Sequence, residues 1–172
     1  MMSFKVGDRV VHPAHGVGNV VMLEEKKFSG KKRLYYKVDA ENCTVWVPVD
    51  DSDKLGLRPL TKKANLDHYK EILMEPPEAL SEDHRSRQSE ISKKLKDGSF
   101  KLVCEVVRDL TALSWQDDLN NTDSNYLRKG FDALCQEWAA SNGVSIAKAT
   151  REINQMLRKS REMYWVEPAV AD

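Results

Sequence analysis

The chain has 172 residues, 41% of them apolar and 31% charged, and its 27 basic and 27 acidic side chains sum to a formal charge of zero. That is the make-up of a globular protein of one or two small domains, and it excludes a polycation that grips DNA by phosphate neutralisation alone. No apolar run approaches the ~20 residues that span a bilayer, and no basic segment followed by an apolar one opens the chain, so a cytoplasmic protein is expected. Residues 1–77 carry 13 basic and 11 acidic side chains and residues 78–172 carry 14 and 16, so neither half is strongly basic.

From Phe4 to about Arg58 the chain reads as short strands. Val6, Val10 and Val11 precede a turn marked by Pro13 and Gly16, and Val17, Val20 and Val21 follow it. Further strands are expected at Asn19–Glu24, Arg33–Val38 and Thr44–Val49. Residues 26–33, Lys-Lys-Phe-Ser-Gly-Lys-Lys-Arg, form a basic hairpin tip that bends at Gly30. Strands this short and this closely spaced predict a small SH3-like or Tudor-like β-barrel.

From about Thr61 the apolar period becomes helical. A helix is predicted over 64–75, stopped by Pro76-Pro77. Ser81 is the expected cap of a second, which runs to Leu95 and ends at Asp97-Gly98. Ser99 caps a third, with Leu102, Val103, Val106, Val107, Leu110 and Leu113 on one face. Residues 115–124 read as a polar loop with Trp115 as an exposed tip, before a fourth helix starting at Thr122 or Asp123. Tyr126, Leu127, Phe131, Leu134, Cys135 and Trp138 recur along it at helical spacing, and Asn142-Gly143 ends it. Ser145 caps a fifth, with Ile146, Ala149, Ile153, Met156 and Leu157 turned inward, and a frayed tail follows Trp165. The fold class is therefore α+β: a barrel over residues 1–60, a linker helix and connection over 61–80, and an all-helical bundle over 81–172.

Little in the chain points to catalysis or cofactors. Cys43, Cys104 and Cys135 are too far apart for a disulfide framework or a C-x-x-C metal site, and the last two fall in helical apolar patterns that predict buried thiols. His12 and His15 flank a turn without the further ligands a closed metal site needs. No nucleophile elbow, phosphate-binding loop or metalloprotease motif is present, so neither an enzyme, a metal nor a cofactor is expected.

Thr44-Val-Trp-Val-Pro48 carries a sharper signal. Side chains alternate along a strand, so Val45 and Val47 share one face while Thr44, Trp46 and Pro48 share the other. A terminal proline suits an edge strand, and an exposed tryptophan there is a natural anchor for a partner. Residue pattern alone leaves this open against Trp46 packing on the helical half.

The opening pattern K-x-G-D-x-V-x-x-P-x-x-G-V-G, from Lys5 to Gly18, resembles the start of the CarD family of bacterial transcription regulators that bind RNA polymerase. The same small domain recurs in transcription-repair coupling factors. Gly98 and the later run Glu105-Val-Val-Arg-Asp-Leu110 resemble a stretch of the family's helical half. The resemblance implies a barrel that docks on the lobe of the RNA polymerase β subunit, with Lys26, Thr44, Trp46 and Pro48 at the contact. It also implies a helical domain that touches promoter DNA beside the melting point and modulates open-complex stability. Relatives carry there a tryptophan that wedges into the minor groove, and the matching position in this chain is His84. Arg85 and Arg87 follow it, and Arg128 and Lys129 are candidate phosphate contacts. The competing expectation is a polymerase-binding adaptor whose helical domain recruits protein, suggested by His84 at the tryptophan's position and by the acidic balance of residues 78–172.

Overall fold

The computed structural model describes residues 2–167. Five antiparallel strands come first: β1 (Arg9–His12), β2 (Gly16–Phe28), β3 (Lys31–Ala40), β4 (Thr44–Pro48) and β5 (Arg58–Pro59). Five helices follow: α1 (Leu66–Met74), α2 (His84–Asp97), α3 (Phe100–Gln116), α4 (Asn121–Asn142) and α5 (Ile146–Tyr164). The α+β class and its order, sheet before helices, are as the sequence predicts. Trp165 to Glu167 follow α5 without regular structure, and the rest of the expected tail lies outside the described residues. No described helix is long and apolar enough to cross a membrane.

The sheet order is β4-β3-β2-β1-β5, so β4 and β5 are its two edges. Val10 of β1, Val20 of β2, Tyr36 and Val38 of β3 and Val47 of β4 meet Phe4 and Leu57 in one cluster, the core of the sheet. Two strand expectations are corrected. The separate strands after the first turn are one long strand, β2, because a bulge at Val21 bends it without breaking its pairing with β3. The fifth strand is instead the two-residue β5, which pairs with β1.

The helices pack around two adjoining clusters. Leu73, Cys104, Val107, Leu134, Trp138, Ala149 and Ile153 form the larger, and Ile91, Val106 and Leu110 the smaller. Burial pushes the Cys104 and Cys135 thiols up, so both stay protonated and inert. Ser99 and Ser145 cap α3 and α5 as expected, and Gly98 and Gly143 end α2 and α4 in the left-handed conformation. The other two starts are corrected. Asp83 rather than Ser81 caps α2, its carboxylate accepting from Ser86 N–H at 2.8 Å. α4 starts at Asn121, capped by Asn120, rather than at Thr122 or Asp123, and α3 runs on through Trp115 to Gln116.

The Glu105–Leu110 run has a structural task. Arg108 donates to the Ile72 carbonyl and to Glu75 at the end of α1 and also to Asp109, while Asp109 accepts from Glu78 N–H. Together they clamp the non-helical connection between α1 and α2 onto α3.

The sheet and the helices meet at a polar joint. Glu137 of α4 is buried and accepts two 2.6 Å bonds from Arg58 of β5, one from the Thr61 hydroxyl at 2.6 Å and one from Thr61 N–H at 3.2 Å. Arg58 also donates to the Gly98 carbonyl at 2.8 Å, and Ser141 donates to the Thr61 carbonyl at 2.6 Å. Pro13 of the opening turn packs against Gly56 and Gly98 so closely that a methyl group on either would lie within 3.0 Å of its ring.

Candidate functional surfaces

The edge strand β4 presents the arrangement that alternation predicts. Val47 is buried and Val45 packs beside it, while Trp46 and Pro48 lie on the opposite face. Trp46 pairs with Lys37 and Pro48 with Tyr35 across β3. Lys26 reaches over from β2 and sets its ammonium 3.1 Å from the centre of the Trp46 ring, with Lys37 at 5.5 Å. This is cation–π geometry. Trp46 is half-buried beneath these two lysines, both from the sheet. Thr44, also on this strand, is exposed and spends its hydroxyl on Asp39 at 2.8 Å.

Three neighbours extend this face that sequence reasoning did not single out. Tyr35 and Lys37 share a side of β3, and Phe28 at the hairpin end stands edge-on to Tyr35 at 5.8 Å. The signal for the first two was in the sequence: alternation places them opposite Tyr36 and Val38, which fill the core. Arg33 pairs with Asp51 at 2.7 Å beside them, and its hydrogen bond holds the Asp51 carboxyl below the usual carboxylate range.

The second candidate surface starts at α2. His84 and Arg85 are exposed in its first turn. Arg87 is not, and this corrects the expectation that it contacts DNA beside His84. Its guanidinium is buried, bonded to Asp123 at 2.6 and 3.0 Å and to the Ser81 carbonyl at 2.8 Å. A cation enclosed this way is spent on its partner and has no face left for a backbone phosphate. It does hold His84. The His84 Nδ1 lies 2.9 Å from an Arg87 nitrogen and 3.0 Å from the Asn120 amide nitrogen, whose oxygen is already accepting from Asp123 N–H. Two donors at Nδ1 make it the acceptor, which assigns the ring proton to Nε2 on the far side.

Arg128 and Lys129 part company on α4. Arg128 faces a groove toward α3 and α5, whereas Lys129 lines the cleft between α2 and the opening turn of the sheet. Both are exposed. His12 and His15 stack at 4.8 Å on that turn, and burial together with His15 holds His12 below its ordinary range. Cys43 Sγ lies 3.5 Å from His15 Nδ1. Among the described residues no group of three His, Cys, Asp or Glu side chains is placed to hold a metal ion.

Residues 4–61 match the CarD-like/TRCF RID domain and residues 69–154 match the CarD C-terminal domain. The chain belongs to the CarD-like family. The two matches fall on the sheet and on the helical bundle respectively. A relative from Bacillus subtilis (strain 168), named "Putative transcription factor YdeB", is 28% identical over 144 residues, covering 83% of this chain and 94% of its own. The CarD-like family is one of transcription regulators and RNA polymerase-interacting factors.

Proposed function

We propose that the edge of the sheet docks on the lobe of the RNA polymerase β subunit and thereby holds the helical domain against promoter DNA near the transcription bubble. The observation that carries the polymerase half is β4 itself. It is an edge strand with an open backbone, a half-buried tryptophan under a lysine, and a flanking aromatic pair. An extended strand of a partner can add to such an edge, with Trp46 as the side-chain anchor. Thr44 and Pro48 bound the contact, and Lys26 brings positive charge to it.

For the DNA half the candidate contacts are His84, Arg85, Arg128 and Lys129, with Arg87 a positioning residue for His84. An imidazole presenting Nε2–H can donate to the acceptors that every A·T pair exposes in the minor groove. Tethering through polymerase supplies effective concentration, so a chain of zero net charge needs only weak DNA contacts. Contacts made in the open complex and absent from the closed one shift that equilibrium, about 1.4 kcal/mol for each factor of ten.

The decisive measurement is binding of the full chain, and of Trp46→Ala, to a β-lobe fragment of its own polymerase. Binding at about micromolar or tighter, weakened roughly tenfold or more in the variant, supports docking through β4. Unchanged affinity in the variant removes β4 as the contact. A promoter footprint upstream of the bubble that requires the protein tests the DNA half; its absence favours the adaptor reading.

A further inference from the structure

A groove of about 640 Å³ runs between α3, α4 and α5, and His84 is not among its lining residues. Its apolar lining includes Trp115, Phe131 and Leu157, and its polar lining includes Arg128, Arg158 and Arg161. No carboxylate is among the lining residues. Among the described residues none of these three arginines is ion-paired, and Glu162, next along α5, forms no bridge to Arg158 or Arg161. Arg128 makes one bond, to Asn125 on its own helix at 3.3 Å. Arg158 and Arg161 stand three residues apart on one helix, on neighbouring positions of a single face.

The chemistry of that groove is specific. Three guanidinium groups with no ion pair among the described residues, around an aromatic floor in a protein whose total charge is zero, form a local positive field that an anion with a flat apolar part would satisfy. A nucleotide strand is such an anion. Its phosphates match the arginines, and its bases have the π-faces that stack on tryptophan or on a guanidinium plane. The expectation that Trp115 is an exposed tip is replaced by its place in the last turn of α3, where it is half-buried in a concavity. A ring held in a hollow cannot enter a duplex base step as a wedge, because a wedge must project. It can receive a base that is already unpaired.

We propose that this groove is a single-stranded nucleic-acid site, in which Trp115 stacks an unpaired base and Arg128, Arg158 and Arg161 hold the flanking phosphates. The inference rests on the DNA half of the function proposed above and assigns it a strand of the melted bubble. It also relocates Arg128, which belongs with Trp115 rather than with His84.

The test is titration of the full chain at low salt with a short oligothymidine, a duplex of equal length, and inorganic polyphosphate of equal charge. Binding and tryptophan fluorescence are both read. The oligothymidine is expected to bind more tightly than the duplex and to quench fluorescence, while polyphosphate binds without quenching. Trp115→Ala should lower oligothymidine affinity roughly tenfold and remove the quench, and Trp115→Phe should restore most of the affinity by restoring a stacking ring. Arg158→Gln with Arg161→Gln should flatten the salt dependence by about 1.4 in log–log slope, ~0.7 per lost phosphate contact on a single strand. Thermal melting of each variant separates lost binding from lost fold.

If groove variants bind as the parent does while His84 and Arg85 variants fail, the groove assignment is overturned and the DNA reading stands. Duplex bound as tightly as single strand, or polyphosphate reproducing every effect, overturns the unpaired-base assignment. Absence of oligothymidine binding by the parent overturns it as well. The promoter footprint with polymerase then reports separately on the DNA reading.

Discussion

Arg87 illustrates what a single residue's surroundings can do to its meaning. In the sequence it is one of a pair of arginines following His84. In the fold its guanidinium shares a buried site with Asp123, 36 positions further on, at 2.6 Å. Removing one member of a buried ion pair strands the other charge, which typically costs about 3–5 kcal/mol. Arg87→Leu is therefore expected to lower unfolding free energy by about that amount in urea denaturation, and Arg87→Leu with Asp123→Leu by much less. The double variant also frees Nδ1 of His84 from the Arg87 donor. No reading of local sequence finds this pair, because both members are ordinary surface residue types and their meeting depends on how α2 crosses α4. Trp46 is the opposite case. Its face follows from alternation along β4, while its nearness to Lys26 depends on the registers that join β2, β3 and β4.

At the scale of elements, helix ends were legible where one side chain or one glycine decides them. Ser99, Ser145, Gly98 and Gly143 act locally, through their own hydroxyl or their own backbone freedom. The ends that differ were decided from a distance. Asp123 is a good cap type, but its carboxylate is taken by the Arg87 and Asn120 side chains, and α4 starts at Asn121 behind the Asn120 cap. Ser81 contributes its carbonyl to the same arginine, and the helix begins after Asp83. The two C-terminal glycines also differ in a way the sequence hides. Both have positive φ, +76° at Gly98 and +69° at Gly143, but Gly143 faces open space while Gly98 lies against Pro13. Gly143→Ala should cost roughly the 1–2 kcal/mol of a left-handed alanine. Gly98→Ala should cost more, because the added methyl would sit 2.9 Å from the Pro13 ring. Chemical denaturation of the two variants side by side checks this, and equal losses would mean that the turn moves freely away from α2.

At the scale of the whole molecule, the joint at Glu137 decides how sheet and helices sit together. Its carboxylate gathers the Arg58 guanidinium and both donors of Thr61 just where the chain leaves the sheet. Glu137→Ala is expected to destabilise by about 3–5 kcal/mol, the usual result of leaving one charge of an enclosed pair alone. It should also make residues 60–65 cleavable in limited proteolysis. Binding to the β-lobe fragment should survive, since Arg58 lies on β5, at the far edge of the sheet from β4. Loss of that binding along with the joint would mean that docking needs both halves. The two-part plan was readable from the change in apolar period near Thr61. The joint was not, since its members are 79 positions apart.

Because that joint is built from short, enclosed hydrogen bonds and a proline seated between two glycines, the molecule behaves as a bracket rather than as two beads on a string. If one arm is bolted to polymerase and the other rests on DNA, the bracket fixes the span between them. Such a device measures length. A base pair inserted between the polymerase contact and the melting point would carry the target out of reach, whereas a changed base at the right distance would matter much less. Promoters would then be sorted by their spacing before they are sorted by their letters.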